Sequence, residues 1–368
     1  MQSKRVIVGM SGGLDSSVAA ALLVEAGYDV VGITIKTYRY EDVGGAVGSE
    51  TSCCSLDGIN DARRVATRLG IPHYVYDFTE PFGREIIDYF TDAYLAGDTP
   101  NPCVMCNRHI KWTEMLRRAD AIGADFVATG HYARLRTGDD GRIVLSRGLD
   151  SGKDQSYALW AVSQESLART LFPLADLTKT ETRAIAERMD LPVAGKRESY
   201  EICFIPDNDY TRFLRDRVEG LEERVAGGEV VRDGEVIGRH DGYPFYTVGQ
   251  RKGLGIAAPE PLYVIDIHPQ TNRVEVGTVD ALMHRGLRAS KVNLIKWATL
   301  EQPRRLLAKI RYKDEGAPAL CRTLDDGTLE VIFDEPRRAI TRGQSVVLYD
   351  GDDVVGGGVI DAWFDPPA

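Results

Sequence analysis

The feature that most constrains this chain is a glycine-rich loop placed directly between a strand and a helix near the N-terminus. Arg5–Val8 is a short apolar run typical of a buried strand, and the loop Gly9–Ser16 follows it at once. Its two adjacent glycines let backbone N–H groups converge on an anion, and the N-terminus of the next helix adds positive potential. Ser11, Ser16 and Ser17 carry hydroxyl groups that can donate to phosphate oxygens. The loop therefore predicts a phosphate site within an α/β fold.

Strand and helix patterns alternate over the first 130 residues. The predicted strands are Arg5–Val8, Val30–Ile35, His73–Phe78 and Phe126–Thr129. Helical patterns separate them at Ser16–Ala26 and Ile59–Leu69, each ended by a glycine. Strands separated by helices form a parallel sheet, and ligands bind at the carboxyl ends of its strands. The predicted fold class is therefore an α/β, doubly wound parallel sheet.

Short β-like runs and turns dominate the rest of the chain. The predicted strands of the central part are Gly227–Ile237, Tyr243–Val248, Leu262–Ile267 and Arg273–Val279. From about residue 280 short strands recur to the end, as in a small β-barrel. We predict a catalytic domain over 1–208, a small mixed central domain over 209–279 and a C-terminal β-barrel over 280–368. A Gly- and Ser-rich stretch at 40–58 predicts a mobile loop.

Composition narrows the function classes. The chain has 368 residues, and its net charge of -10 argues against non-specific coating of nucleic acid. The sequence contains neither an evident signal peptide nor a run of about 20 apolar residues. We therefore expect a cytoplasmic, soluble protein without a membrane partner.

Closely spaced cysteines point to chemistry rather than to a disulfide scaffold. The segment Asn101–Asn107 contains Cys103 and Cys106 and precedes the basic residues of Arg108–Lys111, whose charge favours the reactive thiolate. A third cysteine, Cys203, lies far along the chain. In one chemistry Cys203 carries a persulfide that Cys106 attacks, which leaves a disulfide. In the other, Cys103, Cys106 and Cys203 are ligands of a 4Fe–4S cluster.

Two simpler interpretations of these thiols stay open. One is a structural zinc site, for which His109 or His131 would supply a fourth ligand, and the other is inert core cysteines. Cys53, Cys54 and Cys321 have no comparable setting and are interpreted as buried thiols. Asp15 has the wrong charge for phosphate, which favours a role through Mg²⁺.

Six motifs, in chain order, resemble those of the bacterial tRNA-specific 2-thiouridylases, which are PP-loop ATP pyrophosphatases. They span nearly the whole chain: Gly-Met-Ser-Gly-Gly-Leu-Asp-Ser at 9–16, Asn-Pro-Cys-Val-Met-Cys-Asn at 101–107, Thr-Gly-His-Tyr-Ala-Arg at 129–134, Lys-Asp-Gln-Ser-Tyr at 153–157, Ile-Cys-Phe-Ile at 202–205 and Tyr-Thr-Val-Gly-Gln-Arg-Lys-Gly-Leu-Gly-Ile at 246–256.

The resemblance implies adenylation of the C2 oxygen of the wobble uridine in tRNAs for Lys, Glu and Gln, followed by sulfur transfer that gives 2-thiouridine. It implies ATP as the activating nucleotide, the anticodon stem-loop of tRNA as partner, and a sulfur donor such as a persulfide carrier protein or sulfide. It also implies that the central domain contacts tRNA.

The resemblance further implies residue roles. ATP would be bound by Gly9, Met10, Ser11, Gly12, Gly13, Leu14, Asp15, Ser16, Ile35 and Gly130. The tRNA would be contacted by His131, Lys153, Asp154, Gln155, Arg311, Tyr312 and Gln344. The target base would face Asn101, Pro102 and Cys103. Cys106 would be the nucleophile and Cys203 the persulfide carrier.

Three positions depart from the family pattern. Cys103 stands where many relatives have Asp, so a base role for a carboxylate is not carried over, and a third thiol suits the cluster hypothesis. Ile35 stands where Met is common and still offers an apolar wall for adenine. Tyr200 stands where Gln is frequent, and no physical account of it is available.

Two other functions stay open from the sequence. One is a different PP-loop enzyme that adenylates a small acid or nucleotide, which would leave the cysteines idle. The other is a non-catalytic cysteine-metal module that binds RNA without releasing AMP, against which the glycine-rich loop argues.

Overall fold

The computed structural model describes residues 3–38, 56–196 and 202–367. The predicted mobile loop at 40–58 falls largely outside these residues, as do Cys53, Cys54 and Tyr200. Residues 56–58 are described, and they form the first turn of a helix. The loop prediction was therefore wrong for those three residues.

The N-terminal part alternates strands and helices as the pattern predicted. In chain order the elements are β1 (Arg5–Gly9), α1 (Leu14–Glu25), β2 (Asp29–Lys36), α2 (Leu56–Leu69), β3 (His73–Asp77), α3 (Thr79–Phe82), a π-helical segment (Gly83–Asp88), α4 (Tyr89–Leu95), α5 (Pro102–Met105), a second π-helical segment (Cys106–Trp112), α6 (Thr113–Ala121), β4 (Phe126–Ala128), β5 (Ala133–Thr137), β6 (Ile143–Arg147), α7 (Gln164–Ala168), β7 (Thr170–Leu171) and α8 (Lys179–Arg188).

Five of these strands form a parallel sheet in the order β3-β2-β1-β4-β7. Strand β1 lies in the middle of the sheet, where its alternating side chains fill a core on each face. Ile7 belongs to one hydrophobic cluster, and its neighbours Val6 and Val8 belong to another. Strands β2 and β3 lie on one side of β1, and the chain then crosses to β4 on the other side. The crevice beyond the carboxyl ends of β1 and its neighbours is therefore a topological switch point.

The central part is smaller and mixed. It comprises α9 (Tyr210–Arg217), α10 (Leu221–Val225), β8 (Gly228–Arg232), β9 (Glu235–His240), β10 (Tyr263–His268) and β11 (Arg273–Gly277). The strands form a sheet in the order β10-β11-β8-β9. The predicted strand over 243–248 was wrong, since Tyr243–Phe245 is a 3₁₀ turn. Pro244 lies inside it and has no N–H to donate to a sheet.

The C-terminal part is a closed antiparallel barrel. Its strands are β12 (Met283–Leu294), β13 (Arg304–Lys309), β14 (Ala317–Thr323), β15 (Leu329–Arg338), β16 (Ser345–Asp350) and β17 (Asp353–Phe364). The order β12-β15-β14-β13-β16-β17 closes because β17 also pairs with β12. The predicted fold class, a parallel α/β sheet followed by a mixed domain and a barrel, is confirmed.

The antiparallel hairpin β5–β6 was not expected from the sequence. It lies in the predicted catalytic domain, yet β6 pairs with β17 of the barrel through Ser146 and Asp353. Because this hairpin joins two parts of the chain, the boundaries at 208 and 280 stay predictions. None of the helices in the described ranges has the length and apolarity needed to cross a membrane.

Candidate active site at the glycine-rich loop and the cysteine helix

The glycine-rich loop is held in shape by its own serines and by two close backbone approaches. Ser16 Oγ accepts from Ser11 N at 3.1 Å, and Ser17 Oγ donates to Gly13 O at 2.8 Å. Ser17 is fully buried. The Ser17 hydroxyl hydrogen is thus used within the loop, and the prediction that it donates to phosphate stays a prediction.

Two of the glycines leave no room for a side chain. Gly12 has φ +72°, and a Cβ there would lie 2.0 Å from Gly58 O at the start of α2. A Cβ on Gly130 would lie 2.6 Å from both the Asp15 carbonyl carbon and the Ser16 nitrogen. Gly130 thus brings the end of β4 against the first turn of α1, beside the loop.

Asp15 is paired with a lysine that sequence patterns did not single out. Lys179 Nζ donates to both carboxylate oxygens, at 2.7 and 2.9 Å, and Tyr132 Oη donates at 2.9 Å. The side chain of Lys179 is 13% exposed. A Mg²⁺ ion at this carboxylate would therefore share its oxygens with Lys179 and Tyr132, and the predicted Mg²⁺ role of Asp15 stays a prediction.

A second lysine reaches the loop from the other side. Lys196 Nζ donates to Gly12 O at 3.1 Å and to Asp61 Oδ2 of α2 at 2.6 Å. Both lysines lie far from the loop in sequence, and no local pattern distinguishes either from its charged neighbours. Together with the α1 N-terminus, they make the loop a place where a polyanion would meet positive charge.

The remaining predicted ATP residues line the same end of the sheet. Met10 is buried, and its carbonyl accepts from Thr34 Oγ1 at 2.6 Å. Ile35 is half-buried at the end of β2 and packs against a large hydrophobic core cluster, here called the main core. Gly9 lies against Met115, whose Sδ would be 3.3 Å from an added Cβ.

The cysteines have different environments. Cys103 lies on the single turn of α5 and is exposed, whereas Cys106 begins the second π-helical segment and is half-buried. π-helical segments are rare and frequently occur at functional sites. Cys203 is half-buried, and its carbonyl accepts from Tyr38 Oη at 2.7 Å, just beyond the end of β2.

The predicted cluster ligands do not form a metal site. Within the ranges that the structure describes, no three His, Cys, Asp or Glu side chains are arranged to hold a metal ion. Cys103, Cys106 and Cys203 therefore do not fit a 4Fe–4S cluster as arranged. The zinc alternative with His109 or His131 lacks a ligand set in the same residues.

The π-helical segment after Cys106 joins the sheet through a neutral histidine. The Trp112 and His131 rings lie 5.6 Å apart, and Thr129 Oγ1 lies 2.7 Å from His131 Nδ1. Burial, followed by the charge of Lys111, lowers the pKa of His131 well below its usual value. His131 is therefore neutral near pH 7.

His109 does not supply the positive charge expected beside Cys106. Burial is the largest cause that lowers its pKa, and the charge of Arg108 lowers it further, while Glu85 acts in the opposite direction. Any positive potential on this segment therefore comes from Arg108 and Lys111, together with Lys291 of the barrel, whose charge also lowers the pKa of His109.

Several predicted tRNA residues meet at one place. Tyr312 is exposed, and its Oη donates to Asp154 O at 3.0 Å. Gln155 Oε1 accepts from Tyr132 N at 3.1 Å, directly after His131. The structure therefore brings the 153–155 segment together with Arg311-Tyr312 of the barrel and with the loop after β4.

Gln344 lies at the entry to α5. Its Nε2 donates to Thr99 O at 2.9 Å and to Pro100 O at 3.4 Å. It is thus next to the residues that precede Asn101 and Pro102. The predicted contacts of these residues with tRNA stay predictions.

Comparisons with known proteins cover the chain from end to end. A family model described as the tRNA methyl transferase HUP domain matches residues 4–207. Models described as the tRNA methyl transferase PRC-barrel domain and the aminomethyltransferase beta-barrel domain match residues 213–278 and 284–360.

Three relatives are similar over nearly their full length. The chain is 56% identical to the tRNA-specific 2-thiouridylase MnmA of Salinibacter ruber, over 97% of this chain and 94% of that protein. Identity to the protein of the same description from Amoebophilus asiaticus is 55%, over 100% and 98%. For that of Cytophaga hutchinsonii it is 52%, over 98% and 98%.

Proposed function

This chain belongs to the tRNA-specific 2-thiouridylase family, and on that premise we propose that it converts the wobble uridine of tRNA to 2-thiouridine with ATP. The tRNAs for Lys, Glu and Gln are the proposed substrates, recognised through the anticodon stem-loop. A persulfide carrier protein, whose terminal sulfur passes to the Cys203 thiolate while the carrier thiolate leaves, is the proposed sulfur source.

One arrangement carries the proposal. Ile35, the proposed apolar wall for adenine, and the half-buried thiols Cys106 and Cys203 all pack against the main core. Tyr38 fixes the Cys203 carbonyl just beyond β2, and the Trp112–His131 contact fixes the Cys106 segment beyond β4. The sulfur chemistry is thus supported at the same sheet edge as the phosphate loop, where ligands of such folds bind.

The first step would be adenylation. The C2 oxygen of uridine attacks the α-phosphorus of ATP, the bond to the β-phosphate oxygen breaks, and pyrophosphate leaves. Loop N–H groups and the α1 N-terminus would stabilise the charge on the departing pyrophosphate, with Lys179 and Lys196 close by. The uridine would have to leave the anticodon stack to reach this edge.

The second step would place sulfur on C2. The terminal sulfur of a Cys203 persulfide attacks C2, and AMP leaves with the former uridine oxygen. The Cys106 thiolate then attacks Cys203 Sγ, which breaks the bond to the transferred sulfur and forms a Cys106–Cys203 disulfide. The two electrons that stay with the thiocarbonyl sulfur come from these thiols, and a thiol reductant would return both cysteines to the reduced state.

Mg²⁺ is assigned no step because Lys179 already holds the Asp15 carboxylate, and the 4Fe–4S cluster is assigned none because the described residues contain no group of three metal ligands. Iron and sulfide analysis after anaerobic purification tests the cluster directly. Iron-free protein that thiolates tRNA at full rate supports the relay, whereas activity that rises with iron content would replace the relay with the cluster.

Cysteine variants test the proposed function. Cys106→Ser and Cys203→Ser should abolish 2-thiouridine formation while tRNA-dependent release of pyrophosphate, the product of the first step, persists. Cys321→Ala is the matched control, because this thiol is buried in β14 and burial raises its pKa to about 12.

Full thiolation by both serine variants would rule out sulfur transfer through these cysteines. AMP release that needs a small acid instead of tRNA would identify a different adenylating enzyme, and tRNA binding without AMP release would indicate a non-catalytic module.

Cys103→Ser separates the two sulfur chemistries. The relay uses only Cys106 and Cys203, so this variant should keep most of its activity and have altered binding of the target base. A complete loss together with bound iron in the parent protein would show that Cys103 is a ligand.

A further inference from the structure

The barrel reaches into the catalytic part of the chain through a turn, Arg342–Gln344, that lies against the residues just before the cysteine helix α5. Thr99 N donates to Arg342 O at 2.9 Å. Gln344 Nε2 donates to Thr99 O at 2.9 Å and to Pro100 O at 3.4 Å. The turn therefore makes three hydrogen bonds to two residues that precede Cys103 by only a few positions.

The contact is close because the middle residue of the turn is glycine. Gly343 is buried and has φ +83°, and a Cβ there would lie 2.9 Å from Thr99 O and 3.0 Å from Thr99 N. Any other residue would be strained at this φ and would push the Thr99 backbone away. The turn and the entry to α5 are thus packed backbone against backbone.

Arg342 secures the turn to two further segments. Its Nε lies 3.3 Å from Asp98 Oδ1, and its Nη2 donates to Ile267 O of β10 at 3.1 Å. The turn is therefore held to the catalytic part and to the central sheet at once. A displacement of the barrel would move the segment that leads into α5.

α5 is the first turn of a helix that continues through the second π-helical segment into α6. The Asn101 side chain makes no capping hydrogen bond at its start. The first turn of a helix has N–H groups without intrahelical partners, so an uncapped start is held by its neighbours. The position of Cys106, at the end of α5, therefore depends on how its entry is held.

We propose that Gln344 is a positioning residue for Cys106, which it places through the Thr99 and Pro100 carbonyls. The reactivity of Cys106 matters for catalysis only if the proposed function holds, but its position can be measured without tRNA or ATP. Replacing Gln344 leaves two carbonyls without their donor and loosens the entry to α5.

The test is the rate at which Cys106 is alkylated by iodoacetamide across a pH series, followed by peptide mass spectrometry without tRNA or ATP. Gln344→Met keeps the side-chain length and removes the donor, and it should change the Cys106 rate by about 3-fold or more, as expected for one or two lost hydrogen bonds. Gln344→Lys restores N–H donors and should return the rate toward that of the parent.

Gln164→Met is the matched control. Gln164 Nε2 also donates to two carbonyls, those of Ile143 at 2.7 Å and Ile295 at 3.1 Å, but none of its hydrogen bonds reaches the 98–106 segment. It should leave Cys106 alkylation unchanged even if it lowers the melting temperature. This separates positioning from a general loss of contact with the barrel.

The outcomes are distinct. An unchanged Cys106 profile in Gln344→Met, with weaker tRNA binding, would overturn the proposal and make Gln344 a tRNA contact. If Gln344→Met does not fold, Gln344→Glu keeps a polar side chain of the same length without the N–H donor and replaces it in the assay. If the parent protein itself proves inactive in thiolation and Gln344→Met still changes the rate of Cys106 alkylation, the positioning role holds and the proposed function fails.

Discussion

Lys179 and Asp15 form an ion pair in which one ammonium group contacts both oxygens of one carboxylate, at 2.7 and 2.9 Å. The pair joins the first turn of α8 to the first turn of α1, 164 residues apart in sequence. Since α1 begins at the glycine-rich loop, the pair sets the charge that an incoming polyphosphate would meet. Without Lys179, Asp15 would repel that ligand.

Lys179→Met should therefore damage both stability and turnover. The carboxylate of Asp15 would keep its charge without a cation in a partly buried place, which should lower the unfolding free energy by about 1–3 kcal/mol, since Asp15 retains some solvent. Release of AMP should fall by about 100-fold. Denaturant unfolding and an AMP assay measure the two effects.

The double variant Asp15→Asn with Lys179→Met provides the internal check. Removing both charges should recover part of the lost stability but none of the turnover. Arg188→Gln is the control on the same helix, because its pair with Glu25 is exposed and should contribute less than about 1 kcal/mol. A double variant as unstable as Lys179→Met would contradict the pairing account.

Gly130→Ala should weaken ATP binding selectively. The added Cβ would lie 2.6 Å from the Asp15 and Ser16 backbone, so α1 and the loop must move. We expect KM for ATP to rise about 10-fold or more, since phosphate binding depends on where the loop N–H groups point. Gly83→Ala is the control, because nothing lies within 4 Å of its added Cβ. Equal effects of both variants would show a general loss of stability instead.

The parts of the fold that depend on local patterns could be predicted from the sequence. β1, β2 and β3 differ from the predicted strands by one or two residues at their ends, because apolar runs stopped by glycine or polar residues mark both ends of a buried strand. The same reasoning located the loop and the cysteine segments. It could not identify Lys179 as the partner of Asp15, because that pair depends on how α8 packs beside α1.

Two features of the site have no local signal at all. The segment that begins at Cys106 is π-helical, and an insertion of this kind leaves the apolar pattern close to that of an ordinary helix. Gln344 was predicted to contact tRNA, and its hydrogen bonds to the Thr99 and Pro100 carbonyls were not expected. A contact between residues separated by 245 positions is set by the docking of the barrel, which sequence periodicity does not encode.

Stability should fall as the pH is lowered because His131 stays neutral in the folded chain. Its folded pKa lies well below the usual value, owing to burial and then to Lys111. Below about pH 6.5 the unfolded chain binds a proton that the folded chain does not, so the unfolding free energy falls by at most about 1.4 kcal/mol per pH unit.

His131→Gln should flatten this dependence. The variant has no ionisable group at the position, so the slope between roughly pH 5 and pH 6.5 should decrease by up to one proton. Denaturant unfolding over a pH series measures it. An identical slope in the variant would mean that His131 is protonated in the folded state.

Measurements of tRNA affinity should distinguish the contribution of the Arg311 charge from that of the Tyr312 hydrogen bond. Both residues are exposed on the barrel beside the 153–155 segment, which Tyr312 holds by donating to Asp154 O. Arg311→Ala should weaken binding and reduce the slope of log affinity against log salt by about one, as expected for one lost phosphate contact. Tyr312→Phe should weaken binding by about 5-fold at all salt concentrations, since it removes one hydrogen bond of about 1 kcal/mol and no charge.

Arg305→Ala is the control for the salt series, because Arg305 is already paired with Asp334 and its charge is largely compensated. It should leave both affinity and slope close to those of the parent. Filter binding of unmodified tRNA at four or more salt concentrations distinguishes the three variants. A reduced slope in Tyr312→Phe would show that the 153–155 segment, which carries Lys153, needs Tyr312 to reach phosphate. An unchanged slope in Arg311→Ala would place the phosphate contacts of tRNA elsewhere on the chain.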